Sequence, residues 1–172
     1  LYLHGGVSFT PYKEQFKQLI GSDISFLNVY NASEGFFAAQ TSFEDDGMLL
    51  FLDHGIFYEF MPIEEYGQPE PRTIGLNDVE IDKNYALVIS TNGGLWRYLV
   101  GDTIAFTALH PFKIKVTGRL KHYINAFGEE IIVDNTDKAI AIASQKCNVV
   151  VNDYTAAPIY FSENSNGAHE WL

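Results

Sequence analysis

Three short stretches carry residue types that could do chemistry together. The first is NVYNASEGFF, Asn28 to Phe37, where Tyr30, Ser33 and Glu34 stand at the end of an apolar run. A phenol can offer a π face to a flat ring, a hydroxyl can donate to a phosphate oxygen, and a carboxylate can take a hard divalent cation such as magnesium. Polar residues that close off a strand account equally well for this stretch on its own. The second is GLWRYLVGDTI, in which Asp102 follows Gly101 and could accept two hydrogen bonds from a ribose diol. The third is TGRLKHYINAFGEEI, where Arg119 could reach a phosphate or ribose and Lys121 follows two residues later. Taken singly, the second and third also read as ordinary turns with solvated charges.

The elements that must hold these residues are mostly strands. DISFLNVY reads as a strand leading into the first cluster. MLLFLDHGIFYEFM reads as a hairpin around Asp53, His54 and Gly55, and YALVISTNGGLWRYLV as another around Asn92, Gly93 and Gly94. FKIKVTGRL reads as one more strand. Near the start, LYLHGGVSF is a strand broken at Gly5 and Gly6. A short helix follows, capped by Thr10, with Pro11 in its first turn and Tyr12, Phe16, Leu19 and Ile20 on its apolar face. Beyond Gly118 to Lys121 the pattern changes to a helix over DNTDKAIAIASQKC and a strand, turn and strand over the last residues. The expected class is α/β (α+β), with a β-rich body over residues 1–118 and a smaller α+β part over 119–172.

Composition narrows the function classes. The chain has 172 residues, 47% apolar and 15% aromatic, which suits a folded body with an aromatic core. Twenty-two acidic against eleven basic residues give a formal charge of −11, which repels nucleic-acid phosphates and anionic membranes. No apolar run reaches membrane-spanning length, so neither nucleic acid nor a membrane is an expected partner. Cys147 is the single cysteine, so an internal disulfide is excluded and a reducing, cytoplasmic setting is expected. The apolar opening at Leu1 and the ending GAHEWL suggest a piece of a longer protein. Phosphate-loop, dinucleotide-glycine, paired-histidine zinc and nucleophile-elbow signatures do not occur.

Order and spacing join the three stretches. Tyr-x-x-Ser-Glu-Gly, then Tyr-x-x-Gly-Asp, then Gly-Arg-x-Lys-x-x-Ile-Asn-x-x-Gly-Glu resembles the motif series of adenylate-forming enzymes. YNASEG and RYLVGD, with HGGVSFTPY and NDYTAAPIYF, are most similar to the auxin-responsive acyl acid amido synthetases, with a bacterial-type member the expected kind. The resemblance covers nearly the whole chain. It implies the C-terminal part of a large adenylating domain over 1–118, then a hinge and the start of a lid domain over 119–172.

The implied activity is ATP-dependent: a carboxylic acid is adenylated, and the acyl group passes to an amino acid amine with release of AMP. Ser33 and Glu34 would be catalytic, with Glu34 on magnesium. Tyr30 would lie against adenine, Asp102 on the ribose, and Arg119 on ribose or phosphate. Gly5 and Gly6 would line the close approach to adenine or acyl group, and Lys121 would sit at the hinge. Leu99 follows Tyr98 where many adenylating enzymes carry a basic residue, with Arg97 just before it. The family's upstream phosphate loop lies outside these residues, so residues 1–172 alone are not expected to turn over. The motifs report nucleotide chemistry rather than the acceptor, which leaves open a thioester-forming enzyme of the acyl-coenzyme A type. A nucleotide-binding remnant without catalysis is the third alternative.

Overall fold

The computed structural model describes residues 1–5, 13–21, 24–120, 131–159 and 168–172. Two compact units divide the chain, Leu1–Leu120 and Lys121–Leu172.

In the first unit, besides two short 3-10 turns at Ile63–Glu65 and Leu76–Asp78, the described elements are strand β1 (Tyr2–His4), helix α1 (Lys13–Ile20), and strands β2 (Phe26–Ala32), β3 (Gly35–Gln40), β4 (Met48–Leu50), β5 (Ile56–Pro62), β6 (Asn84–Thr91), β7 (Tyr98–Leu109) and β8 (Phe112–Arg119). These eight strands form one mixed sheet in the order β1-β2-β3-β4-β8-β7-β6-β5. Only the β1–β2 pair in it is parallel.

Strands with two covered faces read as near-continuous apolar runs, and the YALVI of β6 is buried at all five positions. The core is aromatic, as its composition suggests. Phe37, Phe60, Tyr85 and Phe106 are fully buried. Phe60 meets Phe106 edge to face at 5.0 Å, a geometry worth about 1 kcal/mol beyond the area it buries.

The sheet curls strongly. In the sheet order β2 and β7 are four places apart, which in a flat sheet is about 19 Å. Yet the Tyr30 hydroxyl on β2 donates to the Asp102 carboxylate on β7 at 2.9 Å.

Two expectations need correction here. MLLFLDHGIFYEFM is not a hairpin: β4 pairs with β3 and β8, and β5 pairs with β6, so the Asp53–Gly55 segment links strands well separated in the sheet. The expected cap Thr10, Pro11 and Tyr12 lie outside the described residues, and the rest of the expected apolar face of α1 is only partly used. Phe16 packs on Tyr2 at 5.7 Å, but Leu19 and Ile20 are exposed. The Asn92–Gly94 hairpin does join β6 to β7, closed by the Thr91 N–H on the Leu95 carbonyl at 2.9 Å.

The second unit carries α2 (Val133–Cys147) and an antiparallel pair, β9 (Ala156–Ile159) and β10 (Ala168–Trp171). Asn148 ends α2 in the left-handed conformation, a common helix stop. The Tyr154 hydroxyl donates to Asp137 at 2.6 Å, and its ring stacks on Trp171. No described helix is long and apolar enough to cross a membrane.

Candidate functional site

Ser33 and Glu34 are the two-residue turn of the β2–β3 hairpin, since Ala32 pairs with Gly35 on either side of them. That is why polar residues follow the apolar strand: Ser33 is exposed and Glu34 half-buried at a hairpin tip. Glu34 has one oxygen held by the Tyr98 hydroxyl, which donates to it at 3.2 Å. An open cleft of about 470 Å³ runs beside Glu34, lined also by Phe36, His54, Ile56 and Asn92.

Asp102 is built differently. It lies within β7 rather than at a turn after it, because β7 runs on from Tyr98 to Leu109. Gly101 has φ +91, a backbone state that suits glycine, and the β6–β7 register shifts at this point. A bulge of this kind re-aims the next side chain. Asp102 is directed inward, with its side chain 10% exposed. One carboxylate oxygen accepts from Tyr30, and the other lies 3.1 Å from the Arg119 Nε, whose residue is its register partner on β8. Beneath them the Thr117 hydroxyl donates to that of Thr103 at 3.0 Å.

Tyr30, Asp102 and Arg119, drawn from three separate motifs, therefore meet in one chain of bonds. Burial first, and then the adjoining Asp102 carboxylate, push the Tyr30 hydroxyl far above its ordinary pKa, so it serves as a proton donor. Its ring is 4% exposed and lies edge-on to Phe37 at 4.9 Å. The π face expected against adenine is therefore inside the core, and what Tyr30 adds to the site is its hydroxyl. Arg119, by contrast, has a side chain 71% exposed at the end of β8 and is free to reach outward.

Gly5 follows β1, and a Cβ there would stand 2.6 Å from the Val29 carbonyl oxygen. Its lack of a side chain is required by the protein's own backbone. Gly6 and Lys121 lie outside the described residues. Tyr98 was missed as a site residue, although it opens the Tyr-x-x-Gly-Asp motif. Only the curl of the sheet brings its hydroxyl to Glu34. Among the described residues no three His, Cys, Asp or Glu side chains gather as a metal cage.

A curled sheet that joins these motifs has the fold of the acyl acid amido synthetases. The chain matches the structure of GH3.15 acyl acid amido synthetase with a TM-score of 0.68 at 20% identity, over 94% of this chain and 29% of that one. The structure of AtGH3.15 in complex with 2,4-DB matches with a TM-score of 0.66 at 19% identity, over 96% of this chain and 29% of that one.

Over residues 49–119 the chain matches the model of the GH3 family central domain. Jasmonoyl--L-amino acid synthetase JAR4 of Nicotiana attenuata is 25% identical over 96% of this chain and 29% of its own length. Indole-3-acetic acid-amido synthetase GH3.3 of Arabidopsis thaliana is 41% identical over 31% of this chain and 9% of its own. The chain thus spans under a third of the length of each of these relatives.

Proposed function

We propose that this chain is part of an acyl acid amido synthetase that adenylates a carboxylic acid with ATP and conjugates the acyl group to an amino acid. The observation that carries the proposal is the Tyr30–Asp102–Arg119 chain of bonds, which ties three adenylate-forming motifs to one place. In the reaction the carboxylate oxygen attacks the α-phosphate, pyrophosphate leaves, and an amine then displaces AMP. A carboxylate is a poor electrophile until its oxygen becomes part of a good leaving group, and adenylation achieves that.

The residues have matching parts. Asp102 accepts from Tyr30 on one oxygen and from Arg119 on the other, which leaves each a further lone pair for a ribose hydroxyl. Arg119, fixed at its Nε, turns an exposed guanidinium toward phosphate. Ser33 donates from the hairpin tip. Tyr30 orients Asp102, and a ring contact with adenine would require it to leave the core. Gly5, Gly6 and Lys121 keep their proposed places along the nucleotide and at the hinge.

Magnesium fits the donor set, because it is commonly held by one or two carboxylates with phosphate oxygens and water rather than by an all-protein cage. Glu34, half-buried and steadied by Tyr98, would supply that carboxylate. When bound, the ion would offset the negative charge crowding at the α-phosphate. The two compact units support a division into the end of an adenylating domain and the start of its lid. A cytoplasmic setting accompanies this proposal.

The test is AMP release by the full-length protein with ATP, magnesium and a panel of carboxylic acids, with either mixed amino acids or coenzyme A as acceptor. AMP formation that depends on amino acids is expected. Formation that depends only on coenzyme A would overturn the amide assignment, and none with either acceptor would overturn adenylation.

A further inference from the structure

β7 starts at Tyr98, and the residue before it is unusual. Arg97 has φ +46, a left-handed state that costs a residue with a Cβ about 1 to 2 kcal/mol. Glycine would take that state freely, and the same hairpin uses Gly94 at φ +103. An arginine kept at such a point implies that its side chain is in use.

That side chain is tied down on several sides. The Arg97 Nε donates to Glu59 on β5 at 3.1 Å, and its Nη2 donates to the Thr73 hydroxyl at 3.0 Å. Thr73 in turn donates to the other Glu59 oxygen at 2.6 Å, which closes the ring of bonds. The Arg97 backbone N–H donates to the Ser90 hydroxyl on β6 at 3.0 Å. Thr73 is anchored through its neighbour, since Ile74 exchanges backbone bonds with Phe60 of β5 at 2.9 and 2.8 Å. Burial works against the Glu59 charge, yet the Thr73 and Arg97 donors outweigh it and hold its carboxyl below the usual range. The clamp is thus charged and complete at neutral pH.

The next residue is Tyr98, 40% exposed, with its hydroxyl on Glu34. A tyrosine this exposed takes its direction in good part from its backbone. We propose that Arg97 is a positioning residue for the site: clamped to Glu59 and Thr73, it fixes the backbone from which Tyr98 holds the Glu34 carboxylate. The link to catalysis rests on the acyl acid amido synthetase reading, whereas the link to Tyr98 geometry does not.

The experiment uses the full-length protein with Arg97→Gly, Tyr98→Phe and the double substitution. Arg97→Gly keeps the left-handed backbone accessible while removing the clamp. Each single change is expected to lower kcat for AMP formation roughly tenfold at saturating ATP, by misplacing one group, with KM for ATP little altered. The double variant is expected to be no worse than either single one, because both act through the same hydroxyl. A double variant that loses the product of the two effects overturns the proposal, as does full activity in Arg97→Gly.

Arg97→Lys keeps the charge without the fork and is expected to restore activity only in part. Thr73→Ala removes one arm of the clamp and serves should Arg97→Gly not fold. A crystal structure of the clamp variant decides the geometry independently of any activity. The Tyr98 hydroxyl is expected to leave Glu34, and a retained contact refutes the clamp. If the wild-type protein forms no AMP, the functional reading fails while this crystallographic result still stands.

Discussion

Asp102 and Glu34 are both carboxylates of the candidate nucleotide site, and the fold treats them oppositely. Asp102 is nearly enclosed, with a protein donor on each oxygen, and its direction is set by a bulge in a long strand. Glu34 rides on a two-residue turn and is held by one bond from an exposed tyrosine. The buried carboxylate is ordered before any ligand arrives, at the expense of being part of the core. The half-buried one at the hairpin tip would adjust to the proposed phosphate and metal while the core is left alone. Damage to the first should show in stability as well as binding, and damage to the second in rate alone.

The largest effect is expected from Glu34→Gln, which removes the carboxylate proposed to hold magnesium beside the reacting phosphate. AMP formation should fall roughly 10²- to 10³-fold. Unfolding free energy should stay within about 0.5 kcal/mol of wild type, as at other surface positions. Denaturant titration beside the rate assay checks both, and a marked loss of stability would erase the contrast.

Asp102→Ala comes next. It leaves the Tyr30 hydroxyl in the core without its acceptor, so a loss of about 2 to 4 kcal/mol in urea unfolding is expected, together with weaker ATP binding by calorimetry. Tyr30→Phe removes only the donor and leaves Asp102 with Arg119, for which about 1 kcal/mol is expected. An unchanged midpoint in Asp102→Ala would mean the enclosure of this carboxylate has no energetic weight.

The smallest effect is the pH response of the clamp that supports the exposed half. Glu59 has its carboxyl held below the ordinary value, so its stabilisation is complete above that value and is lost as pH falls through the lower folded one. Melting temperature should therefore decline below about pH 4 as Glu59 protonates, and Glu59→Gln should flatten that part of the profile. Asp45, lowered chiefly by its hydrogen bond from Lys113, acts in the same direction and remains in the Glu59→Gln variant.

Local patterns in the sequence account for most of the strands and for the Asn92–Gly94 hairpin, because turn chemistry and alternation act over a few residues. They fail where pairing is distant. Nothing near Met48 reveals that its partners include Ile114, so the apolar run on either side of Asp53–Gly55 is read as its own hairpin. Gly101–Asp102 reads as a turn because a bulge uses the same residue types. The motif series gathers Tyr30, Asp102 and Arg119, but which atom of each takes part depends on burial, which is why Tyr30 contributes a hydroxyl rather than a ring face. Tyr98 opens a motif, but its contact with Glu34 depends on the curl of the sheet, and the Arg97 clamp depends on partners 24 and 38 residues away.

Strand β4 has a further consequence. It is three residues long and is the bridge in the sheet between β1–β3 and β5–β8, with two register pairs to β8 beside the Lys113–Asp45 ion pair. Tyr30, Ser33 and Glu34 lie on one side of this seam, while Tyr98, Asp102 and Arg119 lie on the other. The site therefore has no half-formed version: it comes into being when two distant stretches of chain close on each other, a slow kind of contact in folding. It is also the first thing a local opening at the seam would take apart, before the aromatic core of β5 to β8 has begun to unfold.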